Sequence, residues 1–453
     1  MALASAIATG RLSATEAMAA AITAAEHDRF GAVSLLLPNL GLAEARAIDT
    51  AGPGTRPFAG VPTLAKDLGG PFAGIPIRAG SAAVPADAEA DSELAQRFRA
   101  AGFCFLGSTT VPEFGLSLGC EPAIGPTTRN PLAPDRIVGG SSGGAAAAVA
   151  SGIVATAHAT DAGGSIRVPA ACCGLVGLKP SRGVMPGGPS FGNHLGGIAS
   201  ELAICRSVRD ATAIFDALAG HARGPAADPT QFEASASLRI GVLAEFGPRF
   251  PSDEARELAV LDAAHALEAS GHSLVPLDWS HVDTLVADSA RVFDHIVSVN
   301  LALSFAAGIP DAVEPMTRAV AERGRAIPST MFWDTLQRSV RVSHRLWQLF
   351  DRFDVIVTPM LSGPPPLLGY FATNHADVDA HFSRMTAFAP LAALANVSGF
   401  PAVTLPYGAD GLGLPLPVQL MAPFGAEKRL LALAARLESD ARWSHHFPVA
   451  GLP

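Results

Sequence analysis

The chain has 453 residues, of which 49% are hydrophobic and 16% charged, and this apolar content excludes intrinsic disorder as its main state. Its formal net charge is −9 and no basic stripe is present, which argues against nucleic acid as a partner. No apolar run reaches the roughly 18 residues of a membrane helix, and the N-terminus does not resemble a signal peptide, so we expect a soluble, cytoplasmic protein without membrane partners.

Predicted helices and strands alternate along the chain. Ser13 and Glu16 have the spacing of a capping box, which predicts a helix to about Glu26. The further predicted helices are 91–101, 143–151, 208–218, 253–270, 329–353 and 426–437. The predicted strands are 60–66, 103–106, 238–243, 273–277, 354–358 and 402–405. This alternation predicts an α/β fold with helices on both faces of a sheet.

A loop-like stretch at about 221–237 interrupts the alternation of strands and helices, which continues after it. It has the composition of a domain boundary, yet strands with sheet-like patterning lie on both sides of it. We therefore expect one sheet built from both halves of the chain, and a single domain over residues 1–453.

The chain contains five cysteines, an odd number without any C-x-x-C spacing: Cys104, Cys120, Cys172, Cys173 and Cys205. Such a set predicts neither a disulfide framework nor a structural zinc site. We expect these side chains to act as small buried hydrophobic residues.

Lysine is rare in this chain, with three among 32 basic residues. Genomic base composition accounts for part of this bias, yet a lysine can also be retained where arginine cannot replace it, because only lysine deprotonates when buried. Lys66 ends an apolar strand-like run and is a candidate base. Lys428 has the surroundings of an ordinary surface charge, and Lys179 is ambiguous.

Two glycine- and serine-rich clusters accompany this lysine, at residues 139–144 and 160–169. Each taken singly is equally compatible with simple turn chemistry. Together with Lys66 they supply the parts of a serine amide hydrolase, because a serine needs a base and a second hydroxyl can relay the proton. Gly163 and Gly164, directly before Ser165, leave backbone N–H groups free to converge on an oxyanion.

These segments resemble the amidase signature family. The family's G-G-S-S-G-G-x-x-A, D-x-G-G-S-[IV]-R-x-P, G-V-P-x-x-x-K-D and C-G-x-x-G-x-K-P patterns are matched at residues 139–147, 161–169, 60–67 and 173–180. Residues 125–131 resemble its G-P-x-x-N-P approach with one extra residue, and residues 399–401 and 416–420 resemble its closing segment. The resemblance implies a mixed, twisted central sheet covered by helices, and it implies neither a cofactor nor a metal.

The resemblance also implies a role for each matched residue. Ser165 would be the acyl-forming nucleophile, Ser141 would follow a cis peptide and relay the proton, and Lys66 would be the base. The oxyanion hole would comprise the backbone N–H groups of Ala162, Gly163, Gly164 and Ser165. Three further residues would support these groups without reacting themselves. Asp161 and Arg167 would brace the loop that carries Ser165, and Ser142 would support the reacting residues indirectly.

A narrower resemblance concerns the substrate. Residues 58–62, 66–68, 206–210 and 396–399 are similar to members that hydrolyse 6-aminohexanoate amides. The implied partner is a small or medium neutral amide of the 6-aminohexanoate, aryl or aliphatic type. The signature core would span about 55–210, residues 390–438 would complete the sheet, and residues 280–385 would be variable and line the pocket.

Two features of this variable region allow more than one interpretation. Phe293, Phe305, Phe332, Trp333 and Trp347 could form pocket walls, although the core is the more common place for such residues. The polar run at 374–381 would place its Asn, His and Asp side chains on one face if it were a strand, as a metal site requires, whereas a solvated loop explains it equally well.

Two other functions compete with an independent amidase. Residues 140–144 match the G-x-S-x-G of α/β-hydrolase esterases, with Ser142 as the nucleophile. Some relatives in the family are instead subunits of a tRNA-dependent amidotransferase, which act with a partner. The sequence leaves the oligomeric state open, with a homodimer as one alternative.

Overall fold

The computed structural model describes residues 1–84, 90–187, 192–220 and 237–452. Its strands are β1 (Val33–Leu36), β2 (Pro62–Lys66), β3 (Cys104–Thr109), β4 (Arg129–Asn130), β5 (Ala133–Ile137), β6 (Thr156–Asp161), β7 (Val176–Lys179), β8 (Ser200–Cys205), β9 (Arg239–Val242), β10 (Ser273–Pro276), β11 (Val355–Pro359), β12 (Ala402–Ala409) and β13 (Pro415–Met421).

Helices fill most of the remaining chain. They are α1 (Ala2–Ala8), α2 (Ala14–Glu26), α3 (Pro38–Ala51), α4 (Glu93–Ala100), α5 (Gly143–Ala150), α6 (Arg167–Cys172), α7 (Gly192–Gly197), α8 (Val208–Leu218), α9 (Glu254–Glu268), α10 (Asp283–Ser304), α11 (Pro315–Ala326), α12 (Ser329–Phe350), α13 (Val378–Phe388), α14 (Ala392–Ser398) and α15 (Glu427–Glu438). None of these helices is both long and apolar enough to cross a membrane.

A mixed sheet of eight strands, in the order β10-β9-β11-β13-β12-β7-β8-β6, forms the centre of the molecule. β9 pairs in parallel with both β10 and β11, and the remaining neighbours are antiparallel. The sheet takes strands from both sides of residues 221–236, as the sequence pattern predicts. The loop-like stretch itself, except for Ser237, lies outside the described residues. A smaller sheet, in the order β1-β3-β2, packs through β2 against β6.

Helices cover both faces of the large sheet, as the side chains of β11 show by alternating between two hydrophobic clusters. Val355 and Val357 belong to one hydrophobic cluster, with α8, α9 and α15, whereas Ile356 between them belongs to a second cluster, with α10, α11 and α12. Successive side chains of a strand point to opposite faces, so each cluster lies on its own face. The predicted α/β class is confirmed.

Most predicted elements are present within a few residues of their expected ends. The capping box is formed, with the Ser13 side chain accepting from Glu16 N–H and the Glu16 carboxylate accepting from Ser13 N–H. The helix predicted at 208–218 has those bounds. All five cysteines are free and buried, as expected. The sequence reading missed α10, α11 and α13 in the variable region, and β6, β7, β8 and β13 in the sheet.

The polar run at 374–381 is not a strand. Asp377 accepts a hydrogen bond from Ala380 N–H and starts α13, so the side chains of the run do not share one face. His381 is buried inside that helix, with Nε2 2.8 Å from the carbonyl oxygen of Leu116. In the described part of the chain, no three His, Cys, Asp or Glu side chains are grouped as metal ligands would be.

Candidate active site

Lys66 lies at the end of β2, where its side chain leaves the small sheet and enters the interior between the two sheets. It is 1% exposed. Its Nζ lies 2.9 Å from Oγ of Ser141 and 2.7 Å from Oγ1 of Thr160, which is on β6. The base candidate and the relay candidate are therefore in direct contact, and Thr160 fixes the ammonium or amine from the other side.

The backbone of Lys66 is held by a buried pair. The Lys66 N–H donates to Nδ1 of His158 at 3.1 Å, so the ring proton of His158 is on Nε2, which lies 2.8 Å from Oε2 of Glu201. Glu201 also accepts from Gly70 N–H at 3.1 Å. These contacts connect the strand that carries Lys66 to β6 and β8 of the large sheet.

Ser141 and Ser142 stand in the glycine-rich turn before α5. The peptide bond between Gly140 and Ser141 is cis. A Cβ on Gly140 would lie 2.4 Å from the carbonyl oxygen of Ser117, so only glycine fits this approach. Ser142 is fully buried, and its hydroxyl donates to the Thr160 carbonyl at 3.1 Å while accepting from the Thr160 N–H at 3.3 Å. It supports Thr160, the residue that contacts Lys66.

Ser165 follows β6 on the loop that begins α6, and it lines the same cavity as Ser141. It makes no hydrogen bond through that hydroxyl to any described residue. Its carbonyl oxygen accepts from Ser142 N–H at 3.3 Å, which links the two serine-bearing loops. The structure thus brings Lys66, Ser141 and Ser165 to one place, from segments far apart in the chain.

Asp161 and Arg167 form a buried brace behind the Ser165 loop. The guanidinium donates from Nε and Nη2 to the two carboxylate oxygens at 2.9 and 3.0 Å. Asp161 also accepts from the Gly164 N–H at 2.7 Å. Both side chains are 0% exposed. The N–H of Gly164 is therefore directed to Asp161. Of the four expected oxyanion-hole donors, the backbone N–H groups of Ala162, Gly163 and Ser165 have no partner among the described residues.

Two side chains from the C-terminal part of the chain, Asn396 and Gln419, complete this brace. Asn396 donates to the carbonyl and carboxylate of Asp161, both at 2.9 Å, and accepts from Arg167 at 2.7 Å. Gln419 accepts from Arg167 at 2.9 Å. The Arg167 guanidinium holds the pKa of Asp161 well below its usual range, although burial alone would raise it.

Burial lowers the pKa of Lys66 to about 7, against the opposing influence of Asp161, Cys120 and Glu201. A substantial fraction of Lys66 is therefore neutral near neutral pH. Lys179 is also buried, with a pKa lowered to about 7, but its Nζ donates to the Pro180 carbonyl and does not reach the cavity. Lys428 pairs with Asp216 at the surface, as its sequence surroundings indicate.

A cavity of about 490 Å³ opens over Ser141 and Ser165. None of the described residues that line it is charged. The helices α10 and α13 contribute Phe293, Val297, Asn300 and Phe382 to its lining. Of the aromatic residues considered from the sequence, only Phe293 lines this cavity. Phe305 is in the core, Phe332 packs on it, and Trp333 and Trp347 are 64% and 46% exposed.

The family model described as Amidase matches residues 13–431. The chain belongs to the amidase family. It is a hydrolase of carboxamide C–N bonds other than peptide bonds, as the resemblance predicts. The structure also argues against the esterase alternative, in which Ser142 is the nucleophile. The hydroxyl of Ser142 is buried in contacts with Thr160, and Ser142 does not line the cavity.

Named relatives agree with this assignment. The amidase is 36% identical over 471 residues to a Mycobacterium tuberculosis protein named as an amidase, AmiC, covering 99% of this chain and 96% of that protein. It is 35% identical over 428 residues to the 6-aminohexanoate-cyclic-dimer hydrolase of Pseudomonas sp. strain NK87, covering 85% and 84%. The solved structure of a 6-aminohexanoate cyclic dimer hydrolase with substrate superposes with a TM-score of 0.88, at 30% identity, over 98% and 97% of the two chains.

Several residues of the site have no role in the sequence analysis. Thr160, His158, Asn396 and Gln419 contact the expected site residues, and Glu201 contacts His158. Of these five, only Asn396 and Gln419 fall in matched segments, and Thr160 begins the 160–169 cluster. His158 and Glu201 are ionisable residues in fully buried strands. A charged residue within a buried strand is the one available signal, since such a residue needs a partner.

Proposed function

We propose that this amidase cleaves neutral carboxamides through an acyl-enzyme on Ser165, with Ser141 relaying protons to Lys66. The observation that carries the proposal is the 2.9 Å contact between Nζ of Lys66 and Oγ of Ser141, buried beneath a cavity that Ser165 also lines. A buried lysine in contact with a hydroxyl can act as its base only when the amine is neutral. The lowered pKa of Lys66 supports that state.

The reaction then proceeds in two halves. Oγ of Ser165 attacks the amide carbon while its proton passes to Ser141, whose own proton passes to Lys66. When the C–N bond breaks, the proton returns from Lys66 through Ser141 to the leaving nitrogen. A water molecule, activated by the same pair, hydrolyses the ester on Ser165 and restores the free enzyme. Every protein group in these steps belongs to this chain.

Two features support the charged intermediates. The free N–H groups of Ala162, Gly163 and Ser165 can donate to the oxyanion, whereas the fourth expected donor, Gly164, is directed to Asp161. The carboxylates of Asp161 and Glu201 favour the protonated form of Lys66, which arises as the oxyanion forms. Hydrogen bonds between catalytic groups often tighten only in the complex, which accounts for the absence of a Ser141–Ser165 bond here.

The substrate is expected to be uncharged. A charged group placed in this cavity would lose its hydration and meet no opposite charge among the described lining residues, which is costly. The apolar walls suit an aliphatic or aryl group beside the scissile amide. The similarity to proteins named as 6-aminohexanoate-cyclic-dimer hydrolases supports amides of the 6-aminohexanoate type as the first to be tested.

Labelling with a fluorophosphonate, located by peptide mass spectrometry, tests the proposal together with hydrolysis of an amide panel. We expect the label on Ser165, its loss in Lys66→Ala, and hydrolysis of neutral amides by the isolated chain. A label on Ser142 would contradict the proposal. Hydrolysis only after addition of a partner subunit would instead favour the amidotransferase alternative.

A further inference from the structure

The helix α12 carries a row of large apolar side chains that face solvent. Trp333, Val340 and Trp347 are 64%, 65% and 46% exposed. Each follows the previous one by seven residues, which is close to two helical turns, so the three lie along one side of the helix over about 21 Å. We call these three residues the exposed stripe. A continuous apolar patch on a protein surface is typical of an interaction site.

The other side of α12 is already packed. It consists of the buried residues Thr335, Ser339, Val342, Leu346, Leu349 and Phe350, and the helix contacts α10 and α14. At the end of the exposed stripe, the ring of Trp347 meets Phe400 edge-on at 5.0 Å, yet nearly half of this side chain remains exposed. None of the described residues of α12 lines the catalytic cavity, so the exposed stripe has no place in the active site.

The charged residues of α12 lie away from the exposed stripe. Between Trp333 and Trp347, the residues within about 60° of it around the helix are Leu336, Gln337, Ser343 and His344. The nearest charges pair within the chain, because Asp334 accepts from Arg338 at 3.1 Å and from Arg341 at 3.0 Å. A partner that covers the exposed stripe would therefore bury no unpaired charge.

The exposed stripe is symmetric about Val340, with one tryptophan seven residues to either side. An antiparallel second copy of α12, related by a twofold axis at Val340, would place Trp333 of one chain beside Trp347 of the other at both ends. Gln337 would lie beside His344 of the second copy, with a difference of one residue in level, and both can form hydrogen bonds. A surface that matches itself in this way fits a second copy of the same chain.

The two ends of α12 are complementary in charge. The first turn of the helix contains no acidic residue, and Pro328 before it supplies no side-chain cap. Asp351, directly after the helix, is exposed and lies as far from Val340 as Ser329 does on the other side. The antiparallel arrangement would bring this carboxylate to the first turn of the second helix, where a negative charge is stabilising.

We propose that α12 is the contact between two copies of this amidase, which form a homodimer with a twofold axis at Val340. The interface lies outside the catalytic cavity, so each chain keeps a complete set of its own site residues. The inference therefore does not depend on the proposed function, and its test measures association and not hydrolysis.

Sedimentation equilibrium of the full chain tests the association. We expect the wild-type chain to have twice its mass of 46.4 kDa and to dissociate on dilution. Val340→Arg would place two guanidinium groups opposite each other at the axis, so the dissociation constant is expected to rise about 100-fold or more. Leu258→Arg, at a 52% exposed leucine of α9, is the matched control and should leave it unchanged. A wild-type chain that is monomeric at every concentration, or a Val340→Arg dimer as stable as the wild type, would overturn the inference.

Cysteine cross-linking tests the position of the axis. The native cysteines are all buried and should not compete. Packed helices have axes about 8–10 Å apart, which brings the two residues at position 340 within reach of a disulfide. Val340→Cys should form linked dimers on mild oxidation, and so should a mixture of Trp333→Cys and Trp347→Cys chains. Cross-linking of Trp333→Cys alone would overturn the antiparallel arrangement, and a monomer that binds lipid vesicles unless Val340 is replaced by Arg would overturn the dimer in favour of a membrane surface.

Discussion

The two sides of the catalytic cavity are held in place by different forces. On one side, which we call the floor, Lys66, Ser141, Ser165 and the Asp161–Arg167 pair are buried and fixed by directional hydrogen bonds. On the other side, which we call the helical wall, residues of α10 and α13 meet through apolar packing, such as the edge-to-face contact of Phe293 with Phe382 at 5.7 Å. A floor built from buried charges tolerates few changes, whereas a packed wall can vary and alter specificity without disturbing the chemistry.

Among substitutions in the floor, we expect the largest loss of activity at Lys66. Lys66→Arg keeps the positive charge but cannot supply a neutral base, so we expect kcat to fall by about 10³-fold to 10⁴-fold at every pH. Steady-state kinetics on an amide substrate measure this. Lys428→Arg, at a surface lysine paired with Asp216, is the matched control and is expected to retain full activity. Full activity in Lys66→Arg would remove Lys66 from the proposed mechanism.

The brace beneath the loop is the next most sensitive part of the floor. Asp161→Asn leaves the Arg167 guanidinium buried without its counter-charge, which is expected to lower the free energy of unfolding by about 3 kcal/mol and kcat by about 100-fold. Denaturant unfolding and kinetics measure the two effects. Asp262→Asn, which removes a half-exposed partner of Arg442, is expected to change neither appreciably. Equal effects of the two substitutions would contradict the assignment of a structural role to this buried pair.

The pair behind Lys66 predicts a change in pH dependence. The proposed mechanism requires neutral Lys66, so kcat/KM is expected to rise with pH through about 7, the pKa of that lysine. The Glu201 carboxylate favours protonated Lys66, so Glu201→Gln should lower this pKa and move the acid limb to lower pH. We expect the ratio of kcat/KM at about pH 6 to that at about pH 8 to rise several-fold. A purely structural Glu201 would leave the shape of the profile unchanged.

The helical wall is expected to give the smallest effects on catalysis. Phe293→Leu shortens the side chain that packs on Gly163, so KM for bulky amides should change by a few-fold while kcat for small amides changes little. Steady-state kinetics on amides of increasing acyl chain length measure the effects on KM and on kcat separately. Trp333→Leu, at a 64% exposed aromatic residue outside the cavity, is the control and should alter neither constant. A large loss of kcat in Phe293→Leu would contradict the distinction between floor and wall.

The sequence predicts the floor better than the wall for a physical reason. Ser141 and Ser165 stand in short segments whose glycines permit close backbone approaches, and such constraints leave recognisable local patterns. Thr160 and Glu201 act through contacts between strands, and no local pattern records which strands are neighbours. Phe293 could not be assigned to wall or core, because both places select for large apolar side chains.

Within the wall, the sequence left two alternatives open for residues 374–381, a strand with one polar face and a solvated loop. The structure shows instead that Asp377 caps a helix, so the residues that follow it have a period of 3.6 and not of two. α10 was missed although its apolar residues Val292, Ile296 and Val297 recur at helical spacing, so its signal was present in the sequence.

The location of the proposed base on one sheet and of the proposed nucleophile on another has a consequence for how this enzyme gains activity. Lys66 ends a strand of the three-stranded sheet, and Ser165 follows β6, the edge strand of the eight-stranded sheet. Neither sheet alone contains all the proposed reacting groups, so we expect that a nascent or partly folded chain does not hydrolyse amides before the two sheets dock. The recovery of hydrolysis during refolding should therefore report the docking of the two sheets.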